Sequence, residues 1–285
     1  MARELLGTFK KIVRPFLPKP VLRAYRSFRR TIVLPLQFWS VDRQDRRTLA
    51  KQVLVQLPPA AIRNRVHGTP DANTYLQVGL NCTQDVEAAL QSMGRSLGSF
   101  SHCLDFGCGC GRTLQSLIPR APQAKVFGTD IDSAAISWCR KNFRGSTFGV
   151  NRPLPPLDYE TGFFDLILAI SVFTHLDEHY QFKWLEELKR IAAPNGILLL
   201  SLQGDSYWKN LPSSVVDEIK AKGFVFHKTD YWKGLFPEWY QLSYHTPAYV
   251  QNVYSRYFKV LNYIPRGLNH SHDLVVLQRA AGSGP

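Results

Sequence analysis

The residues of this sequence best suited to hold a polar ligand lie in the stretch LDFGCGCGRTL at 104–114. Small residues follow a short apolar run there: Gly107, Cys108, Gly109, Cys110 and Gly111. Glycines without a Cβ allow backbone N–H groups and the N-terminus of the next helix to approach an anion or a carboxylate. Arg112 replaces the third glycine of the dinucleotide fingerprint Gly-x-Gly-x-x-Gly, so the motif that starts at Asp105 is Asp-x-Gly-x-Gly-x-Gly. The spacing therefore excludes the dinucleotide fingerprint but is still consistent with a ligand-binding turn.

The same turn contains two cysteines that a zinc site could use, Cys108 and Cys110, with His102 and Cys103 nearby. Structural zinc sites usually combine such a pair with a second pair of Cys or His at matching spacing. The sequence has no second pair, so we expect no metal and explain the cysteines as small residues that fit a crowded turn. The five cysteines are an odd number in a chain whose start lacks a signal-peptide pattern. We therefore expect reduced thiols and a cytoplasmic protein.

The elements that must position this turn follow from the pattern of the next hundred residues. Apolar runs predict strands at 101–106, 124–130, 146–150, 163–170 and 196–202. Helical patterns are found at 83–98, 111–118, 133–143 and 179–192. Apolar strands separated by helices indicate a mostly parallel sheet covered on both faces, which is a doubly wound α/β domain. Two further strands, at 257–264 and 272–279, are close enough to form an antiparallel hairpin.

Positive charge is concentrated at the start of the chain. The net charge is +13, yet residues 1–51 hold 13 Lys/Arg and 3 Asp/Glu, against 22 and 19 in the rest. We therefore expect no nucleic-acid partner. Bulky apolar residues recur in this basic segment at helical spacing: Leu5, Phe9, Ile12, Val13 and Phe16. The pattern predicts either an interfacial helix on an anionic membrane or an arm that packs on the body or on a second subunit. The packed arm is favoured because three prolines interrupt the pattern: Pro15, Pro18 and Pro20.

Four motifs, in order, carry a resemblance to a known family. They are LDFGCGCGRTL after the first strand, VFGTDID at the end of the second, FDLILAISVFTHL through the fourth, and LKRIAAPNGILLLSL through a helix and the fifth strand. Together they cover about residues 100–202 and resemble the class I S-adenosylmethionine-dependent methyltransferases. The tail at 244–277 is similar to the closing segment of a subset of these enzymes. The resemblance implies a Rossmann-like fold with a seven-stranded sheet, S-adenosylmethionine as the cofactor, and methyl transfer as the reaction.

Individual residues of these motifs can be matched to the parts of that cofactor. Asp105 would hold its ammonium group directly or through a water, and the three glycines of the turn would admit its methionine moiety. Asp130 ends the second strand where an acidic residue meets ribose hydroxyls, with Ile131 packing on the adenine. A helix cap is the alternative role for Asp130, but Asp132 is better placed for that task. The resemblance adds Asn151 at the adenine edge.

The loop after the fourth strand and one tyrosine complete the expected cofactor site. By resemblance, Ser171, Val172 and Phe173 would line the methyl-donor cleft. Tyr75 precedes the first predicted core helix, where related enzymes often place a residue over the cofactor. Packing in the core is the alternative for Tyr75.

Two histidines are candidates for a general base. His175 follows the fourth strand within reach of the cleft, and its alternative role is to shape the loop and cap the next helix. His245 lies in the aromatic-rich segment that is expected to cover the substrate side. The aromatic cluster at 231–249 predicts a stacking surface for a sugar or planar acceptor, with core packing as the alternative. The stretch 170–173 lacks the Asn/Asp-Pro-Pro-aromatic turn of enzymes that methylate exocyclic amines of bases.

The sequence thus predicts a methyltransferase acting on a small-molecule or glycan acceptor, with a hydroxyl favoured by the resemblance. The predicted organisation has a basic helical arm at 1–60 and a methyltransferase domain at 61–285. Within this domain, the cofactor half is 84–203, the aromatic-rich insert on the substrate side is 204–250 and the closing hairpin is 251–279. One alternative is an enzyme at the membrane surface that acts on a lipid-linked acceptor. Another is a non-catalytic, cofactor-binding partner subunit, which the intact motif disfavours. Residues 1–50 are expected to serve either peripheral membrane contact or dimerisation.

Overall fold

Seven strands form the main sheet of the computed structural model, which describes residues 19–49, 56–228 and 240–282. These strands are β1 (His102–Phe106), β2 (Lys125–Asp130), β3 (Thr147–Val150), β4 (Phe164–Ala169), β5 (Ala192–Leu202), β8 (Lys259–Leu268) and β9 (His272–Gln278). Their order is β3-β2-β1-β4-β5-β9-β8. The first five strands pair in parallel, whereas β9 is antiparallel to both β5 and β8. The predicted mostly parallel sheet with a closing hairpin is confirmed.

The strands are apolar because both faces of the sheet are covered. Two separate clusters of buried side chains pack on the sheet, one around Leu166, Leu199 and Val276 and the other around Ile167 and Leu198. Neighbouring residues of one strand thus face opposite clusters, as the strand geometry requires. This arrangement fixes the carboxyl ends of β1, β2 and β4 at one edge of the sheet, where ligands bind in open α/β folds.

The helix before β1 differs from its predicted bounds. Helix α4 is Ala72–Gln91, so the prediction of a helix at 83–98 closed near Gly98 is wrong at both ends. The helix ends early because Gly94 adopts a φ of +72°, and the N–H groups of Met93 and Gly94 bond to the last helical carbonyls. Tyr75 therefore lies inside this helix and not before it.

Three helices follow strands of the parallel half. Helix α5 is the short segment Leu114–Leu117, α6 is Ser133–Asn142 and α7 is Glu178–Ile191. The Asp132 carboxylate accepts the N–H groups of Ala134 and Ala135 at 3.0 and 3.2 Å, so this residue caps α6 as predicted.

The segment between β5 and β8 has its own small core. It contains α8 (Asp205–Trp208), α9 (Ser213–Lys222), β6 (Phe224–His227), β7 (Leu242–His245) and α10 (Pro247–Val253). Strands β6 and β7 form a separate antiparallel pair. Side chains from α8, α9, β6 and β7 pack together there: Trp208, Ile219, Val225 and Tyr244. Several residues of the predicted aromatic cluster lie outside the described residues: Tyr231, Trp232, Phe236 and Trp239.

The chain divides into two units between Ala72 and Asn73. The described part of the first unit contains α1 (Lys19–Phe28), a π-helical segment (Arg29–Val33), α2 (Leu34–Leu49) and α3 (Ala60–His67). The predicted apolar positions from Leu5 to Phe16 lie outside the described residues. None of the helices in the described ranges is both long enough and apolar enough to span a bilayer.

Candidate active site

The glycine turn lies at the carboxyl end of β1, beside the point where the strand order reverses. Its three glycines have φ values of +78°, +53° and +78°, which residues with a Cβ rarely adopt. Gly107 N–H donates to the Thr129 carbonyl oxygen at 2.8 Å, which ties the turn to β2. A Cβ on Gly107 would lie 2.2 Å from Cγ2 of Val172. The turn thus brings β1, β2 and the loop after β4 together without room for a side chain.

The thiols near the turn are buried and free. Sγ of Cys108 and Sγ of Cys139 lie 3.6 and 3.5 Å from the Gly109 carbonyl oxygen. Burial raises the pKa of Cys110 to about 12, so this thiol stays protonated at neutral pH. Within the described ranges, no group of three or more His, Cys, Asp or Glu side chains is placed to hold a metal ion. The cysteines therefore pack behind the turn.

Tyr75 supports the turn from helix α4. Its side chain is fully buried, and its hydroxyl donates to the Cys110 carbonyl oxygen at 3.1 Å. Burial raises the pKa of Tyr75 well above its ordinary value, so the phenol remains a hydrogen-bond donor. The predicted contact of Tyr75 with the cofactor stays a prediction.

Asp130 is held at the end of β2 by two backbone amides. Its Oδ2 accepts Gly109 N–H and its Oδ1 accepts Asp132 N–H, both at 2.8 Å. Burial raises the pKa of Asp130, and the hydrogen bonds from these amides oppose that rise. Each oxygen keeps acceptor capacity for a ligand hydroxyl. The carboxylate is therefore oriented before any ligand arrives.

Asp105 is the second acidic group of this edge and is buried in β1. Burial, together with the nearby Asp130 carboxylate, raises the pKa of Asp105 to about 7, while the Arg112 guanidinium lowers it. A cationic ligand group would favour the ionised form in the same way as Arg112 does. Arg112 was not predicted as a site residue, although it stands inside the glycine motif.

The end of β3 forms a cavity of about 280 Å³ next to Asp130. The residues that line it are Thr129, Val150, Asn151, Arg152, Pro156, Leu157 and Asp158. Among the described residues, neither Thr129 Oγ1 nor Asn151 Oδ1 has a hydrogen-bond partner, although both atoms are buried. Two apolar side chains of this edge are unusually open, Ile131 at 41% and Val150 at 49% exposure. Unpaired polar atoms beside open apolar side chains fit a planar, polar-edged ligand such as adenine.

The loop after β4 has a constrained backbone. Ser171 has a φ of +60°, and its N–H donates to Ser201 Oγ at 2.8 Å. A non-glycine residue in this region is strained and persists because its surroundings hold it there. Val172 follows against the glycine turn, and Phe173 is fully buried. The loop is therefore positioned rigidly beside the turn.

His175 is held by the two residues that directly precede strand β7. Its Nδ1 lies 2.8 Å from the Gln241 carbonyl oxygen, and its ring stacks on Tyr240 with centroids 4.1 Å apart. A carbonyl oxygen only accepts, so Nδ1 carries the hydrogen and Nε2 keeps its lone pair. Burial lowers the pKa of His175 to about 4, so the ring is neutral at pH 7.

His245 is fully buried and sits in a hydrogen-bond network. Nε2 of Gln181 donates to the Phe173 and Leu176 carbonyls, both at 3.0 Å, so its Oε1 faces His245 Nε2 at 3.0 Å. The hydrogen of His245 must therefore be on Nε2. Nδ1 is buried without a partner among the described residues, and burial lowers the pKa of His245 to about 3. The two histidines thus differ: His175 is partly exposed, whereas His245 is fully buried.

Two further residues lie near His175: Tyr240 belongs to the predicted aromatic cluster at 231–249, whereas His272 was not predicted as a site residue. The pKa of His272 is lowered to about 4 by burial, with additional effects of nearby His175 and Arg112. The pKa of Tyr240 is raised by burial and by Asp130, so this tyrosine lies near the carboxylate as well as on His175. His272 belongs to no local motif, and only the folded chain places it here.

Comparison with known proteins finds a methyltransferase family model and several distant relatives that match part of the chain. Residues 104–198 match a family model described as a methyltransferase domain. A trans-aconitate 2-methyltransferase from Methylobacterium nodulans is 27% identical over 138 residues, which are 46% of this chain and 49% of that protein. An uncharacterised protein from Rickettsia prowazekii is 26% identical over 132 residues, or 45% of this chain and 50% of that protein. The chain spans about half the length of the curated relatives it matches.

Solved structures share the fold. An O-methyltransferase family protein from Burkholderia thailandensis superposes with a TM-score of 0.51 at 16% identity, covering 87% of this chain and 71% of that chain. A protein from Pyrococcus horikoshii superposes with a TM-score of 0.50 at 17% identity, covering 72% and 95%. At this level of identity the likeness concerns architecture alone.

Proposed function

We propose that the chain is a class I S-adenosylmethionine-dependent methyltransferase, as the family model matched at residues 104–198 supports, and that it methylates a hydroxyl of a small molecule or glycan. S-adenosylmethionine is the methyl donor of this family. The observation that carries the proposal is the Asp130 carboxylate, which two backbone amides hold at the edge of the sheet beside the glycine turn. When bound, the donor supplies a methyl group on a sulfonium, activated for in-line displacement.

The residues around the turn fit the parts of this donor. The two oxygens of Asp130 would accept the ribose hydroxyls, and Asp105 would pair with the ammonium group. Asn151 Oδ1, buried without a partner among the described residues, would accept the adenine amino group. Ile131 would cover one face of the adenine, which accounts for its exposure. The glycines leave space for the methionine chain.

His175 is the proton acceptor in this proposal. Nε2 of His175 would accept the hydroxyl proton of the acceptor as its oxygen is methylated, with the donor leaving as the neutral thioether. A hydroxyl oxygen that gains a methyl group becomes strongly acidic, so a neutral imidazole with a pKa of about 4 is a sufficient base late in the reaction. The stacked Tyr240 and the bond to Gln241 hold the ring in place.

His245 has a positioning role in this proposal. Gln181, which bonds to His245, also donates to the carbonyls of Phe173 and Leu176 on either side of His175. The hydroxyl of Tyr254 donates to the same Gln181 oxygen at 2.6 Å. The buried network therefore fixes the loop that carries His175.

A cytoplasmic location is part of the proposal. It is supported by the five thiols, which are free and buried, as expected for a protein that folds in a reducing compartment.

A labelled-methyl transfer screen tests the proposed function. The full chain is incubated with methyl-labelled S-adenosylmethionine and fractionated metabolites, glycans and lipids of the source cells. We expect label in a hydroxyl of a water-soluble fraction, together with stoichiometric S-adenosylhomocysteine. Label on an amine or a lipid would contradict the acceptor class, and binding of the donor without turnover in any fraction would favour the non-catalytic subunit.

A further inference from the structure

In one long helical stretch, every side chain that the structure describes is at least partly exposed. Helix α1, the π-helical segment and α2 continue into each other from Lys19 to Leu49, a length of about 45 Å at the usual rise per residue. Among the side chains described between Pro20 and Thr48, none is buried. An amphipathic helix gains its stability mainly from the surface that covers its apolar face. This stretch, called the basic helix below, therefore needs a surface to cover it.

The apolar side chains of the basic helix form one stripe. They are Val21, Phe28, Ile32, Leu36 and Trp39, each between 47% and 61% exposed. Their spacings of seven, four, four and three residues are those of one helix face. Single exposed apolar residues are common on protein surfaces, but a continuous row of large ones marks an interaction site.

Basic residues accompany this stripe. Between residues 19 and 41 the sequence has five of them and no Asp or Glu: Lys19, Arg23, Arg26, Arg29 and Arg30. At the other end of the stripe, the Arg43 guanidinium lies over the Trp39 ring, 5.4 Å from its centroid. An aromatic ring with a cation beside it suits the boundary between headgroups and acyl chains.

The two acidic residues of the basic helix are already engaged within the first unit. Asp42 accepts the Ala60 N–H at 2.7 Å, and Asp45 forms an ion pair with the buried Arg63. Arg63 also donates to the carbonyls of Pro58 and Pro70. Both carboxylates of the basic helix are thus engaged in contacts within the first unit, and the charge that remains for a partner is positive.

We propose that the basic helix docks on an anionic phospholipid bilayer, with its apolar stripe among the acyl chains and its arginines at the headgroups. The charge decides between the occupants of the stripe. A second copy of the chain would bring five like charges against five, whereas an anionic bilayer complements them. The proposal concerns binding to a surface and does not depend on methyl transfer.

Co-sedimentation of the full chain with lipid vesicles tests this docking. We expect the chain to pellet with vesicles that contain about 30% phosphatidylserine and to bind at least about tenfold more weakly to phosphatidylcholine alone. Leu36→Ser with Trp39→Ser removes part of the stripe at constant charge and is expected to lower binding by about tenfold or more. Arg23→Gln with Arg30→Gln keeps the stripe and is expected to lower binding to the anionic vesicles by about tenfold.

A matched control removes the same charge elsewhere. Lys183→Gln with Lys222→Gln alters two exposed lysines of the second unit, 49% and 65% open, and is expected to leave binding unchanged. Circular dichroism and thermal melting check that each variant folds. Equal binding to both vesicle types, or equal losses in the control and the arginine variant, would overturn the proposal. So would a soluble native dimer that Leu36→Ser with Trp39→Ser turns into a monomer without any vesicle binding.

Discussion

The site has two sides that are built in different ways. The glycine side comprises 104–112, 130–132 and 151, and the histidine side comprises 171–176, 181, 240–245 and 272. On the glycine side the key bond, from Gly109 N–H to Asp130, joins residues 21 positions apart. On the histidine side, His175 and Gln181 bond to partners 66 and 64 positions away. Consecutive β-α units therefore specify the proposed donor site, while the proposed acceptor site depends on how the later segment folds back.

The largest effect is expected from Asp130→Ala on the glycine side. The variant would lose the two charge-assisted bonds proposed between Asp130 and the ribose, so we expect affinity for S-adenosylmethionine to fall about a thousandfold, or ~4 kcal/mol. Calorimetric titration measures this change. Asp132→Ala is the control: it removes the cap of α6, which costs ~1 kcal/mol of stability, and leaves donor affinity within about threefold. Similar losses of affinity in both variants would show that Asp130 acts through the fold.

The contact between the two sides is tested by Gly107→Ala. An alanine at this position would have to adopt a φ of +78°, and its Cβ would lie 2.2 Å from Val172 Cγ2. We therefore expect a loss of about 3 kcal/mol in the free energy of unfolding. Gly145→Ala has a similar φ of +85° and no atom within 4 Å of the added carbon, and is expected to cost about 1 kcal/mol. Denaturant unfolding compares the two. Equal losses would mean that the close approach to Val172 has no energetic weight.

On the histidine side, His175→Gln should slow turnover without affecting the donor. Loss of the proton acceptor is expected to lower kcat about a hundredfold, while the Kd for S-adenosylmethionine stays within about twofold. Rates are measured by label transfer to the acceptor fraction that the native chain labels. The control is His179→Gln, at an exposed position four residues away, with native rates expected. A donor Kd that rises together with the loss of kcat would contradict the separation of the two sides.

A smaller effect, dependent on pH, is expected for Asp105→Asn. Because the pKa of Asp105 is raised from 3.8 to about 7, the folded chain holds this proton more tightly than the unfolded chain does. The free energy of unfolding therefore falls as pH rises from about 4 to 7, where the buried carboxyl ionises. Asparagine cannot ionise, so the ligand-free variant should melt about 5 °C above the native chain at pH 8 and close to it at pH 5. A melting difference that does not change with pH would refute the raised pKa.

The two sides also differ in how far the sequence predicts them. The glycine spacing, the acid at the end of β2 and the cap at Asp132 are local features of the sequence, and they predict the cluster around Asp130. Helix α4 was predicted with the wrong bounds: its apolar pattern continues past Gln91, whereas the turn at Gly94 ends the helix there. The aromatic cluster at 231–249 includes Tyr240 but does not indicate its stacking on His175, and His272 carries no local signal because β9 brings it from a distant part of the chain.

A crystal structure of the chain with S-adenosylhomocysteine tests the assignment of the glycine side most directly. The expected result is one ligand per chain, with its ribose hydroxyls within hydrogen-bond distance of the Asp130 carboxylate and its amino group next to Asp105. A ligand bound elsewhere, or a site that stays empty at saturating ligand, would contradict the assignment.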